Sequence, residues 1–446
     1  MRILLLYPQY PDTFWSFKYS ISFIKKKALM PPLGLATIAA MLPKNFEVRL
    51  VDMNIEELRQ EDLLWADFVL ISAMITQKDS AHKVVKQCKE LGAKTVAGGP
   101  LFSSLSEEFP EIDHFVLDEG EVTFPMFLED LQKGELKRYY RSDVKPDLKI
   151  SPVPRWDIFK MDAYVRMPIQ YSRGCPFDCE FCDVVRLNGK IPRTKTPEQV
   201  IRELDALLDA GWKRHIFFVD DNFIGDKKNS KALLKALADW KKRRPNKVTF
   251  MTEVSLNVAD DPELMEYLRN AGFNSLFIGL ETPSEESLAE CGKFQNKNRN
   301  IIESLKTLYR NGFEVSAGFI VGFDHDDASI FKRQIDFIQQ SGVVIAMVGL
   351  LQALPGTRLY ERLKRENRLI ADSSGNNTDF SINFVPKLDS DLLIDGYKQI
   401  VNTVYSKKEY YDRVLTFIKN YNHHVDEHFN LDCLFAMFKS VFYMGI

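Results

Sequence analysis

Cys175, Cys179 and Cys182 lie within eight residues of one another, in the stretch YSRGCPFDCEFCDV that begins at Tyr171. Thiolates are soft ligands suited to iron-sulfur clusters or zinc, and short spacing lets one loop offer several sulfurs to one centre. No fourth Cys or His follows closely. A structural zinc site wants four protein ligands, so here it would need a remote partner such as His215 or Cys291. Three thiolates instead suit a four-iron cluster that keeps one iron open for a substrate or cofactor. Further along, polar side chains recur at the ends of apolar runs. Asp220 and Asp221 close HIFFVDD, and paired carboxylates there are costly unless they meet ligand or solvent. Glu253, Ser255 and Asn257 alternate in TEVSLNVA, which puts all three on one face of an extended chain. Glu281 ends FIGLE, and Gly318 and Gly322 in GFIVGF let a ligand approach the backbone closely.

These residues need elements to hold them. From Met167, the apolar runs PIQYSRG, HIFFVDD, VTFMTEV, SLFIGLE, EVSAGFIVGF and VVIAMVGLLQ alternate with amphipathic segments such as EQVIRELDALLDA and PELMEYLRNAG. This repetition predicts a partial (β/α)6 barrel over 167–365, with the cysteines following its first strand, where such folds place their chemistry. Over residues 1–140, RILLLY, FEVRLVD, DFVLISA, KTVAGG and HFVLDEG alternate with LGLATIAAML and SAHKVVKQCKEL. Buried strands interleaved with helices predict a Rossmann-like doubly wound α/β domain with a parallel sheet covered on both faces. Its ligand crevice belongs at the carboxyl ends of the strands, which carry SAMITQKDS, AGGPLFSS and LDEGEVTF. Between the two, residues 141–166 lapse into charge and proline and read as a linker. Residues 366–446 are mainly helical in periodicity, and the terminal LDCLFAMFKSVFYMGI predicts a docked core helix.

The chain has 446 residues, 45% hydrophobic and 27% charged, the balance of a soluble globular protein of two or three domains. A formal net charge of -3 gives no global basic field to attract nucleic acid. Apolar runs are too short to span a bilayer, which leaves contact with a membrane surface open. Six cysteines, three of them bunched, fit a reducing compartment, and a cytoplasmic location is expected. Cys88, Cys291 and Cys433 are expected to be structural.

The C-x-x-x-C-x-aromatic-C loop, with Phe181 before the last cysteine, resembles the signature of the radical S-adenosylmethionine (SAM) superfamily over roughly Met167 to Lys364. LLQALPGTRLYERL is similar to a sixth-strand segment of one branch. The resemblance implies a 4Fe-4S cluster on the three cysteines, whose open iron binds SAM and whose electron yields a 5'-deoxyadenosyl radical. It places Asp221, Glu253, Ser255 and Glu281 around SAM. The N-terminal territory, with MPPLGLATIAAML, resembles the cobalamin-binding domain fused ahead of the barrel in cobalamin-dependent radical SAM enzymes. That resemblance assigns Ser72, Met74, Thr76, Gly98, Gly99, Glu119 and Gly120 to cobalamin. Many cobalamin proteins carry an Asp-x-His-x-x-Gly loop, which is missing here; only His82 and His114 occur in this territory, so cobalt is expected without a His beneath it.

The opening YPQYPDTFWSFKYSISFIKKKALMPPLGL sets Phe14, Trp15, Phe17 and Tyr19 beside Lys25, Lys26 and Lys27. It resembles the subgroup that includes hopanoid methylases, and glutamine C-methylases share the architecture. The implied activity is methylation of an unactivated sp3 carbon of a hopanoid-like lipid or of a protein side chain such as glutamine. A flavodoxin- or ferredoxin-type electron donor is implied, and no nucleic acid partner. Two other functions stay open: a cobalamin-dependent radical SAM cyclase, rearrangement or oxidation enzyme without methyl transfer, and a non-catalytic cobalamin or iron-sulfur sensor.

Overall fold

The structure, a computed structural model, describes residues 1–422 and 438–439. Two compact units emerge: Met1–Ile169 with Glu198–Arg214 and 438–439, and Gln170–Pro197 with 215–422.

In the first unit, β1 (Arg2–Tyr7), β2 (Glu47–Asp52), β3 (Phe68–Ser72), β4 (Thr95–Gly98), β5 (His114–Val116) and β6 (Tyr139–Tyr140) form one parallel sheet in the order β2-β1-β3-β4-β5-β6. The apolar run RILLLY fits the central position because both of its faces are covered. Ile3, Leu5 and Tyr7 enter one core with Leu35, Ala39, Phe124 and Phe127. Leu4 and Leu6 enter the other with Ala81, Val84, Val85, Leu101 and Phe102. A period of two thus deals successive side chains to opposite faces. Cys88 is buried in the second of these cores, as a structural cysteine should be. Strand order reverses at β1, which has β2 on one side and β3 on the other, so the carboxyl ends of β1 and β3 flank a topological switch point. The unit's chain runs on to β7 (Met167–Ile169).

The second unit opens with β8 (Ser172–Arg173), paired antiparallel with β9 (Arg193–Thr194). The run PIQYSRG, expected to be one strand, is therefore broken at Gln170 and Tyr171. The cause is Asp220, whose carboxylate accepts the amides of Tyr171 and Ser172 and turns the chain. Next come β10 (Ile216–Phe218), β11 (Phe250–Glu253), β12 (Phe273–Glu281), β13 (Glu314–Val321) and β14 (Ala346–Leu350), parallel and adjacent in sequence order. Helices Lys227–Arg243, Pro262–Ala271, Ile301–Arg310, Ile330–Ser341 and Arg358–Arg365 follow the successive strands. Most start on a side-chain cap: Asp226, Asp261, Asn300 and Thr357 each accept a backbone N–H from the first turn. Phe218, Phe223 and Phe273 pack in edge-on and tilted pairs with ring centroids 5.1 to 5.6 Å apart.

The helical C-terminal region contains Ser390–Val404 and Lys407–Asn420. The expected terminal core helix and Cys433 lie outside the described residues, apart from positions 438–439. Among the described residues, no helix is long and apolar enough to cross a membrane.

Candidate functional site

In the second unit the cysteine loop opens at Gly174, whose φ is +99° and where a Cβ would stand 2.9 Å from the carbonyl oxygens of both Gly189 and Ile191. Only glycine fits there. The Gly174 N–H donates to Asp221 Oδ2 at 2.7 Å, and Asn188 Nδ2 donates to the same oxygen at 2.9 Å. The Cys175 N–H donates to the Gly189 carbonyl at 3.2 Å. Asp220 and Asp221 thus fasten the base of the loop through its backbone, a task the sequence reading did not assign them.

The thiols of Cys175, Cys179 and Cys182 are half-buried and free of disulfides. Burial pushes all three upward in pKa, Cys182 to about 12, and Cys179 acts electrostatically on both of the others. Lys293 opposes the shift at each thiol. Burial disfavours the Lys293 ammonium itself, yet the Glu281 carboxylate, with its Oε1 at 2.7 Å, and the Cys179 and Cys182 thiols together outweigh burial and favour the charged form. Lys293, two residues after Cys291, is not legible in the sequence, because no local pattern announces a partner on the preceding strand.

Among the described residues, no three His, Cys, Asp or Glu side chains converge on a point where one metal ion would sit. The remote zinc partners are engaged elsewhere. Cys291 Sγ donates to the Leu288 carbonyl at 3.6 Å, and the His215 ring is hydrogen-bonded to the Thr249 hydroxyl, ahead of β10 and β11.

From the cysteines a polar row runs across the strand ends. Asn222 Nδ2 lies 4.0 Å from Cys175 Sγ and donates to Ser255 Oγ at 3.2 Å, and Ser255 Oγ donates to Asn257 Oδ1 at 2.6 Å. Ser255 and Asn257 are therefore brought to the loop by Asn222, which follows Asp221 directly. Glu253 is pushed up to about 7 by burial and then by the nearby Asp221 and Asp220 carboxylates. Glu281 is buried at a break in register between β12 and β13, with φ +66°; such irregularities re-aim side chains beside functional sites. A Cβ on Gly318 would stand in ordinary contact with the Phe277 ring, 3.5 Å away, and the Gly322 amide donates to Asp326 Oδ2 at 2.8 Å.

In the first unit, Ser72 ends β3, Gly98 ends β4, and Glu119 and Gly120 follow β5 by a few residues, so the expected set lies along the carboxyl edge. The approach is close. A Cβ on Gly98 would stand 2.6 Å from the Val116 carbonyl, and one on Gly99 would stand 2.6 Å from Ser72 Oγ. Met74 is exposed, and its sulfur accepts a hydrogen bond from the Tyr10 hydroxyl at 3.2 Å. The turn carrying Thr76 is held by Gln77, which accepts the Met74 N–H at 2.8 Å and donates to the Pro8 carbonyl. Glu119 is buried, with Lys145 Nζ 4.0 Å away. A Cβ on Gly120 would stand 2.8 Å from Ile38, so that glycine serves helix packing. Neither histidine is poised as a ligand: His82 stacks on Phe109 with centroids 4.2 Å apart, and His114 starts β5 with its ring nitrogen bonded to the Lys137 carbonyl. Lys26 and Lys27 donate to the carbonyls of Asp162 and Ile55 at 2.6 and 2.9 Å, so these cations tie down their own unit.

Residues 20–128 match the model of the B12 binding domain, residues 169–338 that of the radical SAM superfamily, and residues 357–446 that of a domain of unknown function. The chain is 42% identical, over 93% of its length and 78% of the relative's, to an uncharacterised methyltransferase of Synechocystis sp.. It is 36% identical to a hopanoid C-2 methylase of Rhodopseudomonas palustris, over 85% of its length and 73% of the relative's. Its fold is similar to that of the cobalamin-dependent S-adenosylmethionine radical enzyme OxsB with aqua-cobalamin and S-adenosylmethionine bound. The TM-score is 0.69 at 18% identity, covering 94% of this chain and 72% of that one.

Proposed function

Because the chain belongs to the cobalamin-dependent radical SAM methyltransferases, we propose that it methylates an unactivated sp3 carbon of a hopanoid-like polycyclic lipid. The observation that carries the substrate class is the 36% identity to the hopanoid C-2 methylase. The cofactors of this family, a 4Fe-4S cluster, SAM and cobalamin, supply homolytic hydrogen abstraction and methyl delivery when bound.

The chain's own residues do the rest. Cys175, Cys179 and Cys182 offer three thiolates from a loop whose base is pinned by Asp220 and Asp221, and Lys293 places a buried cation beside them. Each thiol must give up its proton on metal binding, and that cation offsets part of the cost of charge in a desolvated loop. Ser255 and Asn257, aligned through Asn222, together with Glu253 present acceptors and donors to the polar end of SAM. Glu281, held by Lys293, borders the same site. In the first unit, Ser72, Met74, Thr76, Gly98, Gly99, Glu119 and Gly120 form the edge that receives cobalamin. Gly98 and Gly99 keep side chains off that edge, where Met74, hydrogen-bonded by the Tyr10 hydroxyl, lies exposed. An external reductant of flavodoxin or ferredoxin type completes the system.

The test is anaerobic turnover of the reconstituted full chain with cobalamin, SAM, reductant and a hopanoid. Equal amounts of S-adenosylhomocysteine and 5'-deoxyadenosine, with a product one methylene heavier, are expected. Formation of 5'-deoxyadenosine without S-adenosylhomocysteine would refute methyl transfer and leave a rearrangement or oxidation.

A further inference from the structure

The helix Arg358–Arg365 opens the segment that matches a domain of unknown function. Two of its residues hold Glu180, which sits between Cys179 and Phe181 in the cysteine loop, and Arg358 reaches Asp178 of the same loop. The Leu359 N–H donates to the Glu180 carbonyl at 2.9 Å. Arg362 closes a two-pronged ion pair on the Glu180 side chain, Nε to Oε1 at 2.7 Å and Nη2 to Oε2 at 3.0 Å. From the opposite side, the Glu180 N–H donates to the Cys291 carbonyl at 2.8 Å. Every polar handle of Glu180, amide, carbonyl and carboxylate, is therefore held. Arg362 is in turn fixed by Asp324, whose Oδ2 accepts from its Nη1 at 2.7 Å, and Asp324 is shared with Arg368 at 2.6 Å. The neighbouring Phe181 packs on the apolar cluster that includes Leu359, Leu363 and Phe323, its ring centroid 6.3 Å from that of Phe323.

We propose that this helix is a clamp on the cysteine loop and that Arg362 is its positioning residue: by gripping Glu180 it fixes the directions in which Cys179 and Cys182 present their sulfurs. The clamp rests on the reading that these cysteines hold an iron-sulfur cluster. A planar guanidinium suits the task because its fork sets angle as well as distance, which a lysine cannot do. Glu180 and Arg362 are largely shielded, with side-chain exposures of 11% and 22%, so losing either leaves the other poorly solvated.

The experiment compares the anaerobically purified full chain with Arg362→Ala, Arg362→Lys and Glu180→Gln. Cluster loss under a chelator is followed by visible absorbance, alongside the electron paramagnetic resonance spectrum of the reduced cluster and cobalamin binding. Arg362→Ala and Glu180→Gln should lose the cluster roughly tenfold faster or more, as for partners that orient metal ligands, and should alter the resonance line shape. Arg362→Lys should recover the loss rate in part, and cobalamin binding should be unchanged in all three. If Arg362→Ala does not fold, Glu180→Gln, which removes the charge at constant size, carries the test. Variants that match the wild-type loss rate and spectrum would overturn the clamp and leave the cluster reading intact. A wild-type chain with no iron-sulfur absorbance would instead overturn the cluster reading, and the clamp with it.

Discussion

Gly99→Ala and Gly34→Ala make the same chemical change in the first unit, and the structure assigns them opposite signs. Gly99 has φ +89° and ψ -178°, a region essentially closed to other residues, at a cost of about 1–3 kcal/mol. Its new Cβ would also stand 2.6 Å from Ser72 Oγ and 3.4 Å from the Ala73 carbonyl, an overpacking cost of about 1–3 kcal/mol. Together these give about 4 kcal/mol, a large share of the roughly 5–15 kcal/mol that holds a domain folded. At about 2–4 °C per kcal/mol for a unit of this size, Tm of the first unit should fall by roughly 8–16 °C. Gly34 lies exposed in the helix Leu33–Met41, with nothing within 4 Å of a new Cβ. Alanine there limits the unfolded chain and suits a helix, so it should stabilise by about 0.4–1 kcal/mol. Differential scanning calorimetry of the full chain, with cobalamin binding by absorbance, measures both. Gly99→Ala should also weaken cobalamin binding at least tenfold, since the strained turn borders the receiving edge, while Gly34→Ala should leave it unchanged. Equal Tm shifts for the two variants would refute the reasoning that backbone shape makes Gly99 irreplaceable.

Cys175→Ala or Cys182→Ala should abolish iron-sulfur absorbance after anaerobic reconstitution while cobalamin still binds; a coloured, iron-loaded variant would contradict the ligand assignment. Glu253 titrates near 7 in the folded chain, against 4.5 for an ordinary glutamate. The folded state thus binds the extra proton, and its contribution to stability falls as pH rises between those values. A cationic ligand beside Glu253 favours the charged form, so SAM binding at about pH 6 should release close to one proton, and affinity should rise with pH up to about 7. Calorimetric titration in buffers of different ionisation enthalpy reads the proton count, and zero release would remove Glu253 from the SAM site. Tyr164→Phe deletes the hydroxyl that donates to the buried Asp52 Oδ2 at 2.8 Å and should cost about 1–3 kcal/mol, seen as a lower Tm for the first unit alone.

What could be read from the sequence follows from how locally each feature is encoded. RILLLY announces a buried central strand because its apolar residues serve two cores at once, and the cysteine spacing is chemistry written within eight residues. TEVSLNVA put Ser255 and Asn257 on one side of an extended chain, and the structure delivers them to the cysteine loop, but through Asn222, whose side chain spans 33 residues to reach Ser255. The pair Asp220 and Asp221 was legible as something unusual at a strand end; that it secures backbone amides of Ser172 and Gly174 was not. No periodicity links residues nearly fifty positions apart.

The same limit explains Lys293 and Arg362. A lone lysine or arginine on a helix or turn is statistically a solvated charge, and only packing reveals that these two are drawn inward by Glu281 and by Glu180 with Asp324. Both sit beside the thiol loop and neither supplies a thiol. The ligands of such a centre are thus recoverable from local spacing, whereas the charges that aim and offset those ligands come from distant segments. Because those charges act only when β12 and the helix after β14 are in place, the loop acquires its geometry from the folded second unit rather than from its own sequence. A peptide spanning Tyr171 to Asn188 alone would keep all three thiols and lose Asp221, Lys293 and Arg362 together. It should therefore bind iron-sulfur clusters more weakly than the full chain, by at least the roughly tenfold that removing one orienting partner costs. Comparison of chelator-driven cluster loss from the peptide and from the full chain measures this difference, and equal retention would show that spacing alone builds the site.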